Sequence, residues 1–195
     1  LAHTWGTAEI VEVYKCLYEE LKGRVDNNIG ATDEERYRLL WRNLRPYYND
    51  TIMDYLENKC KARIVFDEAN YLHWKELNPQ EPYRSLALKL LSNPAIGRLE
   101  YWIGLFPDAL KTYSIDGVIE FDHRGCRHLN STSQILKDEL RKIDIPFLLL
   151  DGDCIDEKDY SGAQIMVRID SFLKTLELET RGCKRDTKNK LINIQ

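Results

Sequence analysis

The apolar positions of the chain follow two alternating patterns. Four short apolar runs, at residues 37–41, 62–66, 117–121 and 146–150, are typical of strands that are buried on both faces. Between them, apolar residues recur every three or four positions, which predicts amphipathic helices with one face on a sheet. The chain therefore alternates between strands and helices, and such alternation favours a parallel sheet.

The helical pattern predicts six helices, at about residues 8–22, 50–59, 86–91, 99–110, 132–142 and 162–177. Two of them are preceded by the capping-box spacing, Ser131-x-x-Gln134 and Ser161-x-x-Gln164, which marks helix starts. Pro107 falls inside the fourth helix and is expected to kink it or to begin a new segment.

We therefore expect an α/β fold: a flavodoxin-like or Rossmann-like three-layer domain with a four-stranded parallel sheet in the order 2-1-3-4 and helices on both faces. Ligands of such sheets bind beyond the carboxyl ends of the strands. The domain is expected to span residues 1–178, with a charged and disordered tail at 179–195.

Composition narrows the possible functions. The chain has 195 residues and a net charge of −4. It lacks the excess of basic residues that is typical of nucleic-acid-binding proteins. No apolar run reaches the ~20 residues of a membrane span. The five cysteines are widely spaced, which argues against a disulfide framework and favours a cytoplasmic protein. Because the chain opens at Leu1 without an initiator methionine, we expect a fragment or a processed chain.

Candidate chemistry is concentrated at 116–127, where an apolar strand runs into a polar loop that carries Cys126. A helix is predicted to follow at once, and the positive end of a helix dipole favours a thiolate, the form of cysteine that binds metal. Cys126 is thus a candidate iron ligand. The alternative is a small buried apolar residue, the usual role of a free cysteine.

Three segments carry a resemblance to a known family: YRLLWRNLRPYYNDTIMDYLENKCKARIVFDE, DGVIEFDHRGCRHLNS and IPFLLLDGDCIDEKDYSGAQIMVRIDSFLKTLE. Together they resemble the carboxyl-terminal lobe of the 2-hydroxyacyl-CoA dehydratase and benzoyl-CoA reductase subunits, over about residues 5–177. The resemblance implies two α/β lobes with a 4Fe-4S cluster between them. It implies that Cys126 is the third cysteine ligand and that the other two lie in an amino-terminal lobe absent from this chain. The helix at 8–22 would pack toward that lobe.

The resemblance also implies an enzyme that dehydrates an acyl-CoA through a ketyl radical, although this fragment alone would be inactive. Its partners would be a second subunit of the same type and an ATP-dependent iron–sulfur activator. The chain has no GxxxxGK[ST] phosphate loop, so a partner would hydrolyse the ATP. Benzoyl-CoA reductases and double-cubane-cluster reductases share the scaffold, and either remains an alternative. A cluster-free, flavodoxin-like binding or assembly module is an alternative of another class.

Three more residues are candidates for contact with an acyl-CoA. Arg127 and Arg45 carry guanidinium groups that can bind a phosphate or a thioester, and His123 lies beside the cysteine loop. Hydrogen-bonded or solvated loop residues are the alternative interpretation for all three. Asp151 and Asp153 resemble a carboxylate pair, but we expect them to cap backbone N–H groups around Gly152.

Overall fold

A computed structural model describes residues 7–32, 34–48, 51–70, 77–92, 99–159 and 161–182 of the chain. Two compact units are present, Leu1–Glu35 and Arg36–Gln195. None of the described helices combines the length and the apolar character that a membrane span requires.

In the first unit, the described residues form one helix, α1 (Ala8–Asp26). The Thr7 side chain caps it by accepting a hydrogen bond from the backbone N–H of Ile10 at 3.4 Å. Most of its apolar side chains are exposed: Val11, Val13, Tyr14, Leu17, Tyr18, Leu21 and Val25. The predicted helix is therefore confirmed, and its packing toward another lobe stays a prediction.

The second unit is built on a sheet of four parallel strands: β1 (Tyr37–Arg42), β2 (Ala62–Asp67), β3 (Gly117–His123) and β4 (Phe147–Gly152). Their order is β2-β1-β3-β4, as the sequence predicts. Both central strands are almost entirely buried, which explains why their sequences lack a polar alternation. The carboxyl ends of all four strands lie at one edge of the sheet.

The described residues of this unit form five helices. α2 (Thr51–Asp54) continues as a π-helix over Tyr55–Lys59, and is followed along the chain by α3 (Pro82–Leu91), α4 (Leu99–Thr112), α5 (Arg127–Lys142) and α6 (Gly162–Gly182). Pro107 lies within α4, so the chain does not start a new segment there. Short 3-10 turns follow two of the strands, at Glu68–Asn70 after β2 and at Glu157–Asp159 after β4.

Two apolar clusters cover the two faces of the sheet. Leu39 and Trp41 of β1 belong to a cluster with α2 and α6, whereas Leu40 belongs to a cluster with α4 and α5. Successive strand residues point to opposite faces, so this division makes three layers. The apolar residues that recur at helical spacing along α6 are expected to face the sheet, and all five are buried: Ile165, Ile169, Phe172, Leu173 and Leu176. The three-layer α/β prediction is confirmed.

The start of α5 differs from the prediction. The helix begins at Arg127 with Cys126 as its N-cap, whereas the capping-box spacing had placed the start at Ser131. Ser131 lies inside the helix, where its hydroxyl donates to the carbonyl of His128 at 3.0 Å. Gln134 donates instead to Asp138 on the next turn, at 3.1 Å. The prediction was wrong because the chain turns into the helix directly after β3, without a longer loop.

Some expectations from the sequence fall on residues outside the described part of the chain. Asn49 or Asp50 is expected to cap the second helix, Asn93-Pro94 to separate the third and fourth helices, and Trp5 and Trp74 to be packing residues. The proposed tail at 179–195 is covered only in part, since α6 continues past Leu178 to Gly182.

The end of β4 makes one close approach that can be tested. A Cβ atom added to Gly152 would lie 2.8 Å from Cζ of Phe121, a fully buried ring on the neighbouring strand. We expect Gly152→Ala to lower the free energy of unfolding by about 1–3 kcal/mol, because the packed ring has little room to move. Urea unfolding followed by circular dichroism measures the change.

The matched control is Gly104→Ala in α4, where an added Cβ meets no atom within 4 Å. This change should raise stability by about 0.8–1 kcal/mol, since alanine favours the helix. Equal effects of the two variants would contradict the close approach at Gly152.

Candidate functional site

Three loops meet at the carboxyl edge of the sheet, after β1, β3 and β4. The backbone N–H of Tyr47 donates to the carbonyl of Cys154 at 2.8 Å, and the hydroxyl of Tyr48 donates to the carbonyl of Asp153 at 2.8 Å. The backbone N–H of Arg124 donates to the carbonyl of Gly152 at 3.1 Å. The loops that the sequence assigns to this edge are therefore joined to one another by hydrogen bonds.

Cys126 lies at the point where β3 passes into α5. Its N–H donates to the carbonyl of His123 at 2.8 Å, which closes a tight turn, and its own carbonyl accepts from the N–H of Asn130 at 3.2 Å. The side-chain amide of Asn130 donates to the same His123 carbonyl at 3.0 Å. The thiol is half-buried, at the end of the helix where backbone N–H groups attract negative charge.

A buried ionic network lies behind this turn. Arg42, the last residue of β1, pairs with Glu120 on β3, its partner in the strand register, and its Nε lies 3.3 Å from Oε2 of Glu68. The three side chains are 2%, 0% and 3% exposed. Ionic groups so far from water are stable only when they have partners, and here one cation meets two carboxyl groups.

The same network holds α5 in place. Arg42 donates to the hydroxyl of Thr132 at 2.6 Å, and the hydroxyl of Ser133 donates to Glu120 at 2.6 Å. Both hydroxyl residues lie on α5, in the turn after its amino end. The position of the helix that carries Cys126 is therefore fixed by strand residues.

Burial changes the proton affinity of the two glutamates. It raises the pKa of Glu68 to about 8, against the opposing effect of Arg42. It also raises the pKa of Glu120, although Arg42 and the hydroxyl of Ser133 act in the other direction. Because the pKa of Glu68 is about 8, this carboxyl group holds its proton at neutral pH, while Glu120 keeps its close contact with Arg42.

The predicted acyl-CoA contacts have different surroundings. Arg45 is 37% exposed and pairs with Asp67 at 3.0 Å. Arg127 is exposed in the first turn of α5 and forms no ion pair with any described residue. Arg124 pairs with Asp151 at 2.9 Å, so Asp151 forms an ion pair where a capping role was expected. Contact of Arg45, Arg127 and His123 with substrate stays a prediction.

His123 belongs to a compact group with Asp153 and Cys154. One ligand atom from each of these residues lies within 4.8 Å of the others. The expected capping role of Asp153 is confirmed, because its Oδ1 accepts from the N–H groups of Ile155 at 2.7 Å and Asp156 at 3.0 Å. These bonds lower the pKa of Asp153, whereas burial raises the pKa of the Cys154 thiol.

Sequence reasoning missed Cys154 and the Arg42 network. The family resemblance gives Cys154 no ligand role, yet it lies near Cys126, whose negative charge when ionised adds to the raised pKa of the Cys154 thiol. The signal for the network was a charged residue, Glu120, in the middle of an apolar strand. A buried strand carries such a residue only when a neighbour neutralises it.

The pH dependence of stability tests the buried network. The pKa of Glu68 is about 8 in the folded protein and 4.5 ordinarily, so between these values the folded state holds a proton that the unfolded state has lost. The free energy of unfolding should therefore fall as pH rises through this window. Glu68→Gln should remove that part of the slope, at most about 1.4 kcal/mol per pH unit. Urea unfolding at several pH values measures both slopes.

Glu157→Gln, at an exposed glutamate after β4, is the control and should keep the slope of the parent chain. If Glu68→Gln also kept that slope, the conclusion that Glu68 is protonated at neutral pH would be wrong.

The chain was compared with protein-family profiles and with curated proteins. A family profile described as 2-hydroxyglutaryl-CoA dehydratase, D-component, matches residues 1–176. Among curated proteins, none gives a significant match to the chain. The family match covers nearly all of the described residues and confirms the resemblance seen in the sequence. The chain belongs to the 2-hydroxyglutaryl-CoA dehydratase D-component family.

Proposed function

We propose that this chain is the lobe of a 2-hydroxyacyl-CoA dehydratase subunit that supplies Cys126 as one thiolate ligand of a 4Fe-4S cluster. Family membership supports a dehydratase-type subunit. The observation that carries the finer proposal is the place of Cys126: it is half-buried, caps α5, and lies where three loops meet beyond the sheet. Active sites of parallel sheets lie at this edge.

The side chains at this edge can supply one cysteine ligand of such a cluster. Iron–sulfur clusters of this type are held mainly by cysteine thiolates, commonly four. Of the cysteines that the structure describes, Cys126 and Cys154 lie at the edge, whereas Cys16 is on α1 and Cys60 follows the π-helix. The remaining ligands would come from outside the described residues. A second lobe facing this edge would supply them.

A bound cluster supplies low-potential one-electron chemistry, which in a 2-hydroxyacyl thioester permits a ketyl radical to expel the hydroxyl group. The residues of this chain have two tasks beside it. The turn from His123 to Cys126 aims the thiol, and the Arg42 network holds the helix behind it. By the resemblance to the dehydratases, the electron would come from an iron–sulfur activator that hydrolyses ATP.

Arg127 is the residue best suited to hold the acyl-CoA. It is exposed one position after Cys126, in the first turn of α5, while Arg45 and Arg124 are engaged with Asp67 and Asp151. A guanidinium group binds phosphate oxygens in a two-pronged geometry. We infer that Arg127 contacts an anionic group of the substrate. Dehydration, rather than ring reduction, is the reaction that the family description favours.

Iron content tests the role of Cys126. In the complete subunit, prepared without oxygen, Cys126→Ser should lower the iron and acid-labile sulfide that remain after gel filtration and should weaken the brown colour, since one cluster ligand is lost. Iron and sulfide assays on the purified protein measure the change.

Cys16→Ser is the matched control, because Cys16 is an exposed cysteine on α1. It should leave iron unchanged. Equal iron contents in the two variants would remove Cys126 from the cluster, and a parent protein without iron would favour a cluster-free binding module.

Acyl-CoA affinity tests the role of Arg127. Arg127→Ala should weaken acyl-CoA binding about tenfold or more, because a charged hydrogen bond contributes about 1.5–3 kcal/mol. Isothermal titration of the complete subunit with an acyl-CoA gives the affinity. Arg141→Ala, at an exposed arginine in the last turn of the same helix, should leave it unchanged. Unchanged affinity in Arg127→Ala would assign the contact to another residue.

A further inference from the structure

A second group of metal-binding atoms lies beside Cys126 and does not include it. One donor atom each of His123, Asp153 and Cys154 lies within 4.8 Å of the others. Two of the side chains are half-buried and Cys154 is buried, so the group extends from the edge of the sheet into its core. Strand pairing produces this proximity, because His123 ends β3 opposite Gly152 at the end of β4.

The carboxylate of Asp153 is already oriented. Its Oδ1 accepts two backbone N–H groups, and its Oδ2 lies 3.5 Å from Nδ1 of His123. Ligand atoms around a tetrahedral zinc ion are also roughly 3.5 Å apart, as the usual zinc bond lengths require. A metal ion could therefore bind both atoms after only small side-chain movements.

The contacts of His123 leave its Nδ1 available to a metal ion. Nδ1 accepts the backbone N–H of Cys154 at 3.3 Å, a long and therefore weak hydrogen bond. Oδ2 of Asp153 lies 3.5 Å from the same nitrogen. A cation bound between the imidazole and the carboxylate would be coordinated by both groups. Coordination of the ion by Nδ1 would replace the weak hydrogen bond from the backbone N–H of Cys154.

We propose that His123, Asp153 and Cys154 bind a single divalent transition-metal ion of the zinc or ferrous class, separately from the cluster ligand Cys126. One imidazole nitrogen, one carboxylate oxygen and one thiolate sulfur form a donor set that such ions accept. The carboxylate and the thiolate together neutralise the charge of the ion. Three protein ligands leave the fourth position of a tetrahedral ion open to water or to a substrate oxygen.

This proposal does not depend on the proposed function. It requires only residues of this chain, and it holds whether or not a cluster binds at Cys126. The two sites can therefore be tested with different ions and different variants.

Cobalt titration tests the site. The 195-residue chain, without an affinity tag and reduced, is titrated with Co²⁺, because thiolate ligation gives this ion a sulfur-to-metal absorption band. The parent chain should bind one Co²⁺ with this band, and Zn²⁺ should displace it. Cys154→Ala should abolish the band and weaken binding about 10- to 100-fold. Circular dichroism confirms that each variant is folded.

Asp153→Asn keeps the proposal testable if Cys154→Ala fails to fold. An asparagine Oδ1 can still accept the N–H groups of Ile155 and Asp156, so the loop is retained while the anionic ligand is lost. This variant should keep the band but bind Co²⁺ at least about tenfold more weakly.

Cys126→Ser and Cys60→Ser are the controls and should keep the band and the affinity of the parent chain. A parent chain without the band would overturn the proposal. Loss of the band in Cys126→Ser would overturn it as well, because the two thiols would then share one site. Iron content in the complete subunit is a separate measurement, so failure of the cobalt site leaves the proposed cluster role of Cys126 intact.

Discussion

A buried arginine between two buried glutamates is the interaction on which the carboxyl edge of this sheet depends. Arg42 ends β1, Glu120 lies beside it on β3, and Glu68 closes the group after β2. Removing such groups from water costs several kcal/mol for each ion, and only close partners offset this cost. The network therefore tolerates few arrangements of the elements that contribute to it, α5 included. Because Arg42 and Glu120 both bind hydroxyl groups of α5, the pairing of β1 with β3 also fixes the position of Cys126 at the start of that helix.

Much of the fold could be predicted from the sequence because its signals are local. Buried parallel strands appear as uninterrupted apolar runs, and the helices between them keep a helical period. The α6 stripe is an example, since every residue assigned to its inward face is buried. The start of α5 could not be predicted in the same way. Ser131 offered a sequence pattern for a cap, but a tight turn from His123 placed Cys126 there first.

Only part of the candidate site could be predicted from the sequence, because the rest depends on contacts between distant residues. Cys126 follows an apolar strand directly, and that local pattern identifies it. Cys154 lies 28 positions further along the chain by the numbering, and it comes close to Cys126 and His123 only because β3 and β4 pair in a particular register. The Arg42–Glu120 pair likewise depends on which residues of β1 and β3 are neighbours. A single sequence indicates which strands exist more readily than how they are aligned.

The bonds from Tyr47 and Tyr48 to the loop after β4 have a consequence for the turn between the two loops. β3 lies between β1 and β4 in the sheet, so these two bonds form a bridge across the end of β3. Cys154, at one end of the bridge, belongs to the apolar cluster shared with α2 and α6. The loops after β1 and β4 are therefore linked directly, although their strands are not neighbours in the sheet. A change in either loop bears on the other, and the turn after β3, with His123 and Cys126, lies between them.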